Sequence, residues 1–182
     1  MSKSFSTLPS FDPETGDVLV VIETPKGCRN KYDYNEKLGV FELGKVLPSG
    51  MVFPYDFGFV PSTEADDGDP IDVLLLLDEP APMGCVVRTR VIGAIEAEQR
   101  EKGGDWVRND RLLAVATHAH LHGNVQSIKE IDPHLLEEMA AFFRQYNQLQ
   151  GKEFRTVDQC GPKGALKLIE KTGKGGAQAK KA

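Results

Sequence analysis

Apolar positions change rhythm once along this chain. Up to about residue 130 they fall in short runs divided by Gly and Pro, the punctuation of strands and turns. Val18–Ile22 reads as an apolar strand. Lys31–Tyr34 and Val40–Leu43 flank the turn signal Asn35–Gly39 and predict a hairpin. Val73–Leu77, Val86–Ile95 and Leu112–Thr117 predict further strands, with Glu96–Asp110, polar and carrying Gly103-Gly104, as the hairpin loop between the last two. Strands at this spacing predict a barrel or sandwich. Near Asp132 the period becomes helical. Asp132 suits an N-cap, Pro133 a first helical position, and Leu135, Met139, Phe142, Phe143, Tyr146 and Leu149 recur on one face. This predicts a helix over about 133–149, ended by Gly151, and a shorter one after Pro162 with Leu166 and Ile169 inward. No internal repeat is found. Residues 1–171 are expected to form a single domain, and 172–182 a disordered tail of Gly, Ala, Gln and Lys.

One polar run breaks this pattern. Asp66-Asp67-Gly68-Asp69-Pro70-Ile71-Asp72 sets four carboxylates at the mouth of the apolar strand that follows. Two like charges about 5 Å apart at an effective dielectric near 20 repel by roughly 3 kcal/mol. Carboxylates gathered in this way share protons or bind a cation. Gly68 and Pro70 mark a turn. A solvated acidic turn would account for Asp66 and Asp67. It fits Asp72 poorly, because side chains alternate along a strand and Asp72 shares its face with Leu74 and Leu76. Oxygen ligands at close spacing suit a hard ion such as Mg²⁺ or Mn²⁺. A calcium EF-hand loop is excluded, since the run leads into a strand.

Composition narrows the rest. The 182 residues suffice for a sizeable core. A net charge of -5 and a pI of about 5.4 argue against general nucleic-acid binding. No apolar stretch approaches the roughly 18–20 residues of a membrane span, and Met1-Ser-Lys-Ser-Phe lacks a signal-peptide core. Cys28, Cys85 and Cys160 are odd in number and widely spaced, so a disulfide framework or cysteine metal site is not expected and a reducing, cytoplasmic location is.

Two other segments offer chemistry. Glu23 to Lys31 holds one acid and three cations, Lys26, Arg29 and Lys31. Alone it reads as a charged surface loop; beside an acidic metal site its cations would hold a phosphorylated substrate. His118, His120 and His122 would share a face on a strand, as a zinc site wants. Gly123-Asn124 follows directly, and a loop with partly exposed histidines is the preferred reading. No Walker loop, GxGxxG or GxSxG is present.

Asp67-Gly68-Asp69-Pro70-Ile71-Asp72 resembles the signature of the family I, soluble, Mg-dependent inorganic pyrophosphatases: Asp, small residue, Asp, Pro, apolar, Asp. Glu23-Thr-Pro with Lys31, then Phe53-Pro54-Tyr55-Asp56-Phe57-Gly58-Phe59, then Leu112-Leu-Ala-Val resemble further segments in the family's order, over about Val20 to Tyr146. The resemblance implies a mainly β fold, an OB-like five-stranded barrel with flanking helices. It also implies hydrolysis of pyrophosphate to two phosphates with Mg²⁺, and a homo-oligomer, often hexameric in bacteria. Carried over, Asp67 and Asp72 bind the tightest metals, Glu23 and Asp33 serve outer ones, and Asp69 deprotonates the attacking water. Lys31, Lys45 and Tyr146 hold phosphate.

The departures fall on the site. The family's phosphate arginine is Lys45, its two tyrosines are Phe53 and Phe57, and the lysine after Tyr146 is Asn147. Each lost hydroxyl forgoes roughly 1.5–3 kcal/mol where it would bond charge. The Glu after the loop lysine is the shorter Asp33. The family's Asp-x-Lys is Asn109-Asp110-Arg111: Arg111 keeps the positive charge for substrate, and a one-residue bulge would be needed to bring Asp110 to the metal. Asp105 and Glu101 are weak counterparts of an acidic pair in the loop before Asn109. Lys26, Arg29 or Arg108 are candidates to replace lost cations. A divergent pyrophosphatase is the favoured reading, because loss of function should release the costly acidic cluster first. A hydrolase of another phosphoanhydride or phosphate ester, and a non-catalytic metal-, phosphate- or protein-binding member, remain the alternatives.

Overall fold

The structure, a computed structural model, describes residues 4–173. Five strands close into a ring: β1 (Val18–Thr24), β4 (Asp56–Phe59), β5 (Asp72–Leu76), β8 (Arg111–Ala116) and β6 (Val86–Glu101). Neighbours round the ring are antiparallel except β5 and β8, which run parallel. Closure satisfies every edge within the ring and gives the OB-like barrel that the resemblance implies. A separate hairpin, β2 (Asn30–Asn35) with β3 (Val40–Val46), stands beside it. The far half of β6 leaves the ring to pair with β7 (Val107–Arg108) and β9 (Lys152–Cys160). Helices α1 (Pro133–Gln148) and α2 (Pro162–Thr172) flank the barrel.

The unbroken apolar run of β5 has a physical cause. Both faces of this strand are covered, so both sets of alternating side chains must be apolar. Leu74 and Leu76 join Phe57, Leu113, Met139 and Phe143 in a cluster under α1, while Val73 and Leu75 join Ile22, Leu112, Ala114 and, from α2, Ile169. Each such buried side chain contributes about 1.5–3 kcal/mol. The Asp132 carboxylate caps α1 by accepting the His134 N–H at 2.9 Å. Leu149 falls outside the apolar face expected of it and is exposed, and Leu166 is only partly buried, with Ala165 and Ile169 carrying the contact of α2.

The hairpin is tied down by polar and aromatic contacts. The Tyr32 N–H reaches Thr24 Oγ1 at 3.0 Å and the Tyr34 N–H reaches Glu23 Oε1 at 2.8 Å. From the N-terminal segment, the Phe5 ring lies 5.4 Å from both Tyr34 and Phe41.

Several expectations need correction. Glu96–Asp110 is not a loop: β6 runs on to Glu101, β7 intervenes, and only 102–106 turns. β4 and β9 had no sequence signal as strands. β4 is short and begins at a buried acid, Asp56; β9 buries only Phe154 and pairs with β6 outside the ring. Thr172, expected in the tail, ends α2, and Gly173 bridges to Thr63; the remainder of the tail lies outside the described residues. His118, His120 and His122 lie in a loop, the first two exposed. Among the described residues no helix is long and apolar enough to cross a membrane.

Gly58 marks a close approach of β4 to β1. A Cβ there would lie 2.0 Å from the Val21 carbonyl oxygen, which is backbone and cannot swing aside. Gly58→Ala is expected to cost about 3 kcal/mol or more, at or beyond the top of the usual overpacking range, read as a lowered urea midpoint.

Candidate functional site

Alternation and register decide which residues meet. β5 and β8 pair in parallel with Asp72 beside Arg111 and Leu74 beside Leu113. Both charged residues therefore emerge on the α1 face, at the end of a buried apolar stripe. The hairpin covers this end from the side. Its register sets Lys31 opposite Lys45 and Asp33 opposite Glu42. The acidic turn, with Gly68 at φ +90°, folds over the start of β5, and the Asp69 N–H reaches Asp67 Oδ1 at 3.3 Å. Between them lies a cleft of about 490 Å³.

Nine of the ten residues singled out from the sequence line this cleft: Glu23, Lys31, Asp33, Lys45, Asp67, Asp69, Asp72, Arg111 and Tyr146. Asp110 does not. β8 has no bulge at its start, so Asn109 and Arg111 share the cleft face and Asp110 takes the opposite one. There Asp110 accepts the Ala97 N–H at 3.0 Å and pairs with Arg108 at 3.0 Å. The outer candidates for replacement cations also lie elsewhere. Arg108 is held by Glu96 and Asp110, the Arg29 Nε–H donates to the Leu47 carbonyl, and Lys26 sits over the Tyr55 ring. The additional cation in the cleft is Lys152, from β9, paired with Glu101 at 3.0 Å. Its only sequence signal was its place just after Gly151, in a segment too polar to read as a strand. Gln99, Gln150 and Phe143 also reach the cleft.

The charges are locally matched. Lys31 pairs with Asp33, Arg111 pairs with Asp72 at 2.8 Å, and the Lys45 ammonium donates to the Gln150 side-chain oxygen. Each of these cations also lies against a ring: Lys31 is 5.8 Å from the centre of Phe57, Lys45 5.6 Å from Tyr146 and Arg111 5.0 Å from Phe143. Phe57, backed by Phe53 at 5.4 Å between ring centres, is thus the apolar wall behind the Lys31 ammonium. Burial raises the Asp72 carboxyl above the ordinary range; Arg111 and then Lys31 oppose this, while Asp67 and Asp69 add to it. Burial also raises Asp67; the hydrogen bond from the Asp69 N–H opposes this, while the Asp69 charge adds to it. Burial lowers the Lys45 ammonium, with Lys31 and Lys152 pushing the same way. The Tyr146 hydroxyl is raised by burial and stays a hydrogen-bond donor.

Among the described residues no group of three or more His, Cys, Asp or Glu side chains closes into a metal-holding cluster. The donor set nevertheless fits a hard divalent ion. Glu23, Asp67, Asp69 and Asp72 present only oxygen to one cleft, and burial beside one another raises Glu23, Asp67 and Asp72, which a cation would reverse.

Glu23 gives a test of these electrostatics in metal-free protein. Burial raises its carboxyl from 4.5 to about 7, against the pull of Lys31 and the Tyr34 N–H. The folded state then binds the proton more tightly than the unfolded state, so this group's contribution is full below pH 4.5 and is lost as pH rises through about 7. The loss amounts to about 3 kcal/mol at most. Glu23→Gln should flatten the fall in thermal midpoint over that window, as followed by calorimetry in chelator.

A barrel mouth with this signature has close relatives. The family model for inorganic pyrophosphatase matches residues 20–175. An inorganic pyrophosphatase of Nostoc sp. is 42% identical over 147 residues, 81% of this chain and 83% of the relative. Soluble inorganic pyrophosphatase 5 of Arabidopsis thaliana is 36% identical over 83% of this chain and 68% of its own length. Among solved structures, the inorganic pyrophosphatase of Thermus thermophilus superposes with a TM-score of 0.85 at 32% identity, covering 98% of this chain and 99% of that one. Barrel, acidic signature and extent of the match agree, and the chain belongs to the inorganic pyrophosphatase family.

Proposed function

We propose that this chain hydrolyses inorganic pyrophosphate to two phosphates with Mg²⁺, Mn²⁺ serving as a substitute. One observation carries the reading: a single cleft gathers the Asp67–Asp69–Asp72 signature and Glu23 together with Lys31, Lys45, Lys152 and Arg111. Such a cleft presents oxygen donors for a cation beside donors for a multiply charged anion.

Asp67, with the outer acids Glu23 and Asp33, would hold the divalent ion; Asp72, to which the resemblance also gives metal, meets Arg111 at 2.8 Å. When bound, the ion would screen the phosphates and acidify a water molecule. Asp69, on the turn above the strand, would accept the proton of an attacking water, which adds to one phosphorus as the bridging P–O bond breaks and the other phosphate leaves. Lys31, Lys45 and Lys152 hold the non-bridging oxygens where negative charge accumulates. Tyr146 donates its hydroxyl to the same group. Asn109 takes the place expected of Asp110 in the cleft, and its side-chain oxygen accepts a hydrogen bond from Arg111. Lys45 contacts phosphate as a point charge rather than a bidentate fork.

Two coarser features accompany this reading. A cytoplasmic location is supported by three free, partly buried cysteines. A homo-oligomer is supported by exposed apolar side chains such as Val157 on β9 and Leu121.

Phosphate release from pyrophosphate, ATP and polyphosphate with Mg²⁺ decides between substrates. Asp69→Asn should lower kcat for pyrophosphate by about 10²-fold or more, the usual worth of a general base. Pyrophosphate turnover no greater than that of the variant would sink the reading, and turnover of ATP or polyphosphate alone would select an organic or longer phosphoanhydride. Lys152→Gln should raise KM for pyrophosphate by about tenfold with a smaller change in kcat, as expected for one charge-assisted hydrogen bond.

A further inference from the structure

Arg111 is held differently from the other cations of the cleft. Its Nη1 forms the ion pair with Asp72 at 2.8 Å. The same Nη1–H group donates to the Asn109 side-chain oxygen and approaches the carbonyl oxygens of Asn109 at 3.1 Å and Asp110 at 3.2 Å. Its guanidinium carbon lies 5.0 Å from the centre of the Phe143 ring. The residue is 5% exposed, and its Nε is buried with no hydrogen-bond partner among the described residues. A guanidinium fixed by a carboxylate, an amide, two carbonyls and a ring is a built-in charge. The lysines of the cleft are simpler: Lys31 is paired with Asp33, Lys152 with Glu101 and Lys45 with the neutral Gln150.

The partner at Asn109 bears on this. A carboxylate there would leave two anions beside one guanidinium and would draw in a second cation. The amide oxygen satisfies the guanidinium and adds no charge, so the Asp72–Arg111 pair is complete. A divalent ion arriving at Asp72 must either lie against this guanidinium, with like-charge repulsion, or expel it and leave a buried charge without its partner.

We propose that Arg111 is the resident cation of the site: its guanidinium, wedged between the Asp72 carboxylate and the Asn109 amide, neutralises Asp72 in place of a divalent ion. The free chain then binds such an ion weakly at Asp72, and the ions that assist catalysis sit on Asp67 and Glu23, leaving Asp69 to the water. This rests on the functional reading above and deepens it by dividing the acids between a protein cation and metal.

Mn²⁺ binding to the full chain without phosphate, followed by the electron paramagnetic resonance of free Mn²⁺, tests the assignment. Arg111→Gln should bind Mn²⁺ about tenfold more tightly or better than wild type, since it frees Asp72 of a cation in contact. Lys31→Gln removes the same charge from the same cleft and should gain several-fold less. Equal gains in the two variants, or none in Arg111→Gln, would overturn the proposal. Should Arg111→Gln fail to fold, wild-type crystals grown with Mn²⁺ and no phosphate decide by anomalous scattering. A guanidinium still on Asp72 with no ion there supports the proposal; Mn²⁺ on Asp72 with Arg111 displaced refutes it. Phosphate release by the same wild-type preparation is scored separately. Absence of turnover removes the functional reading and leaves the Mn²⁺ result to judge Arg111; turnover with Mn²⁺ on Asp72 removes the assignment alone.

Discussion

The parallel pairing of β5 with β8 is the constraint on which the site depends. It sets Asp72 and Arg111 side by side at the same end of two buried strands. Everything below them on that face is apolar: Leu74 and Leu76 on one strand, Leu113 and Val115 on the other. The charges cannot move down into that core, since an unpaired charge there is costly, so they are fixed at its rim. Helix α1 closes the same face with Phe143 and Tyr146. The core thereby positions the chemistry: a strand register shifted by one residue would carry Asp72 and Arg111 to opposite faces.

The hairpin side of the cleft is built less rigidly. Lys31, Asp33 and Lys45 stand on a two-stranded hairpin outside the closed ring. Its connection to the barrel runs through Glu23, Thr24 and the aromatic group of Phe5, Tyr34 and Phe41. Glu23 has two tasks as a result. Its carboxylate accepts the Tyr34 N–H that anchors the hairpin and also faces the cleft. A buried acid raised to about 7 therefore couples the hold on the hairpin to the charge state of the site.

How much of this was legible depends on what each element buries. The apolar strands and α1 showed in the sequence because their periodicity follows from the faces they cover. The acidic turn showed because four carboxylates in seven residues have no use in a core. β9 did not show: it joins the sheet outside the ring, buries one residue, and reads as polar surface. Lys152 was hidden with it. Asp110 was placed wrongly for a different reason. A third acid on the metal would need a bulge in β8, whereas alternation by itself puts Asn109 on the face of Arg111 and Asp110 on the other. Lys26, Arg29 and Arg108 were near the site in sequence but spend their charges or donors on local partners.

The balance of charge joins these parts. Six carboxylates line the cleft, Glu23, Asp33, Glu36, Asp67, Asp69 and Asp72, against four cations, Lys31, Lys45, Arg111 and Lys152. Fully ionised, the walls carry a formal excess of two negative charges. One divalent ion would cancel it, and the proton held by Glu23 below about pH 7 already removes part. A pyrophosphate anion entering such a cleft adds several negative charges more and would be repelled unless it arrived with cations of its own. The substitutions around the site act in one direction here. A neutral Asn109 and an Arg111 bound to Asp72 lower the standing demand for metal. Phe53 and Phe57 remove hydroxyls without removing charge, and Phe57 leaves the Lys31 ammonium over an apolar ring, where a phosphate oxygen meets less competition from water. The cleft is thereby suited to take its anion and metal together, as a complex, more than to store metal in advance.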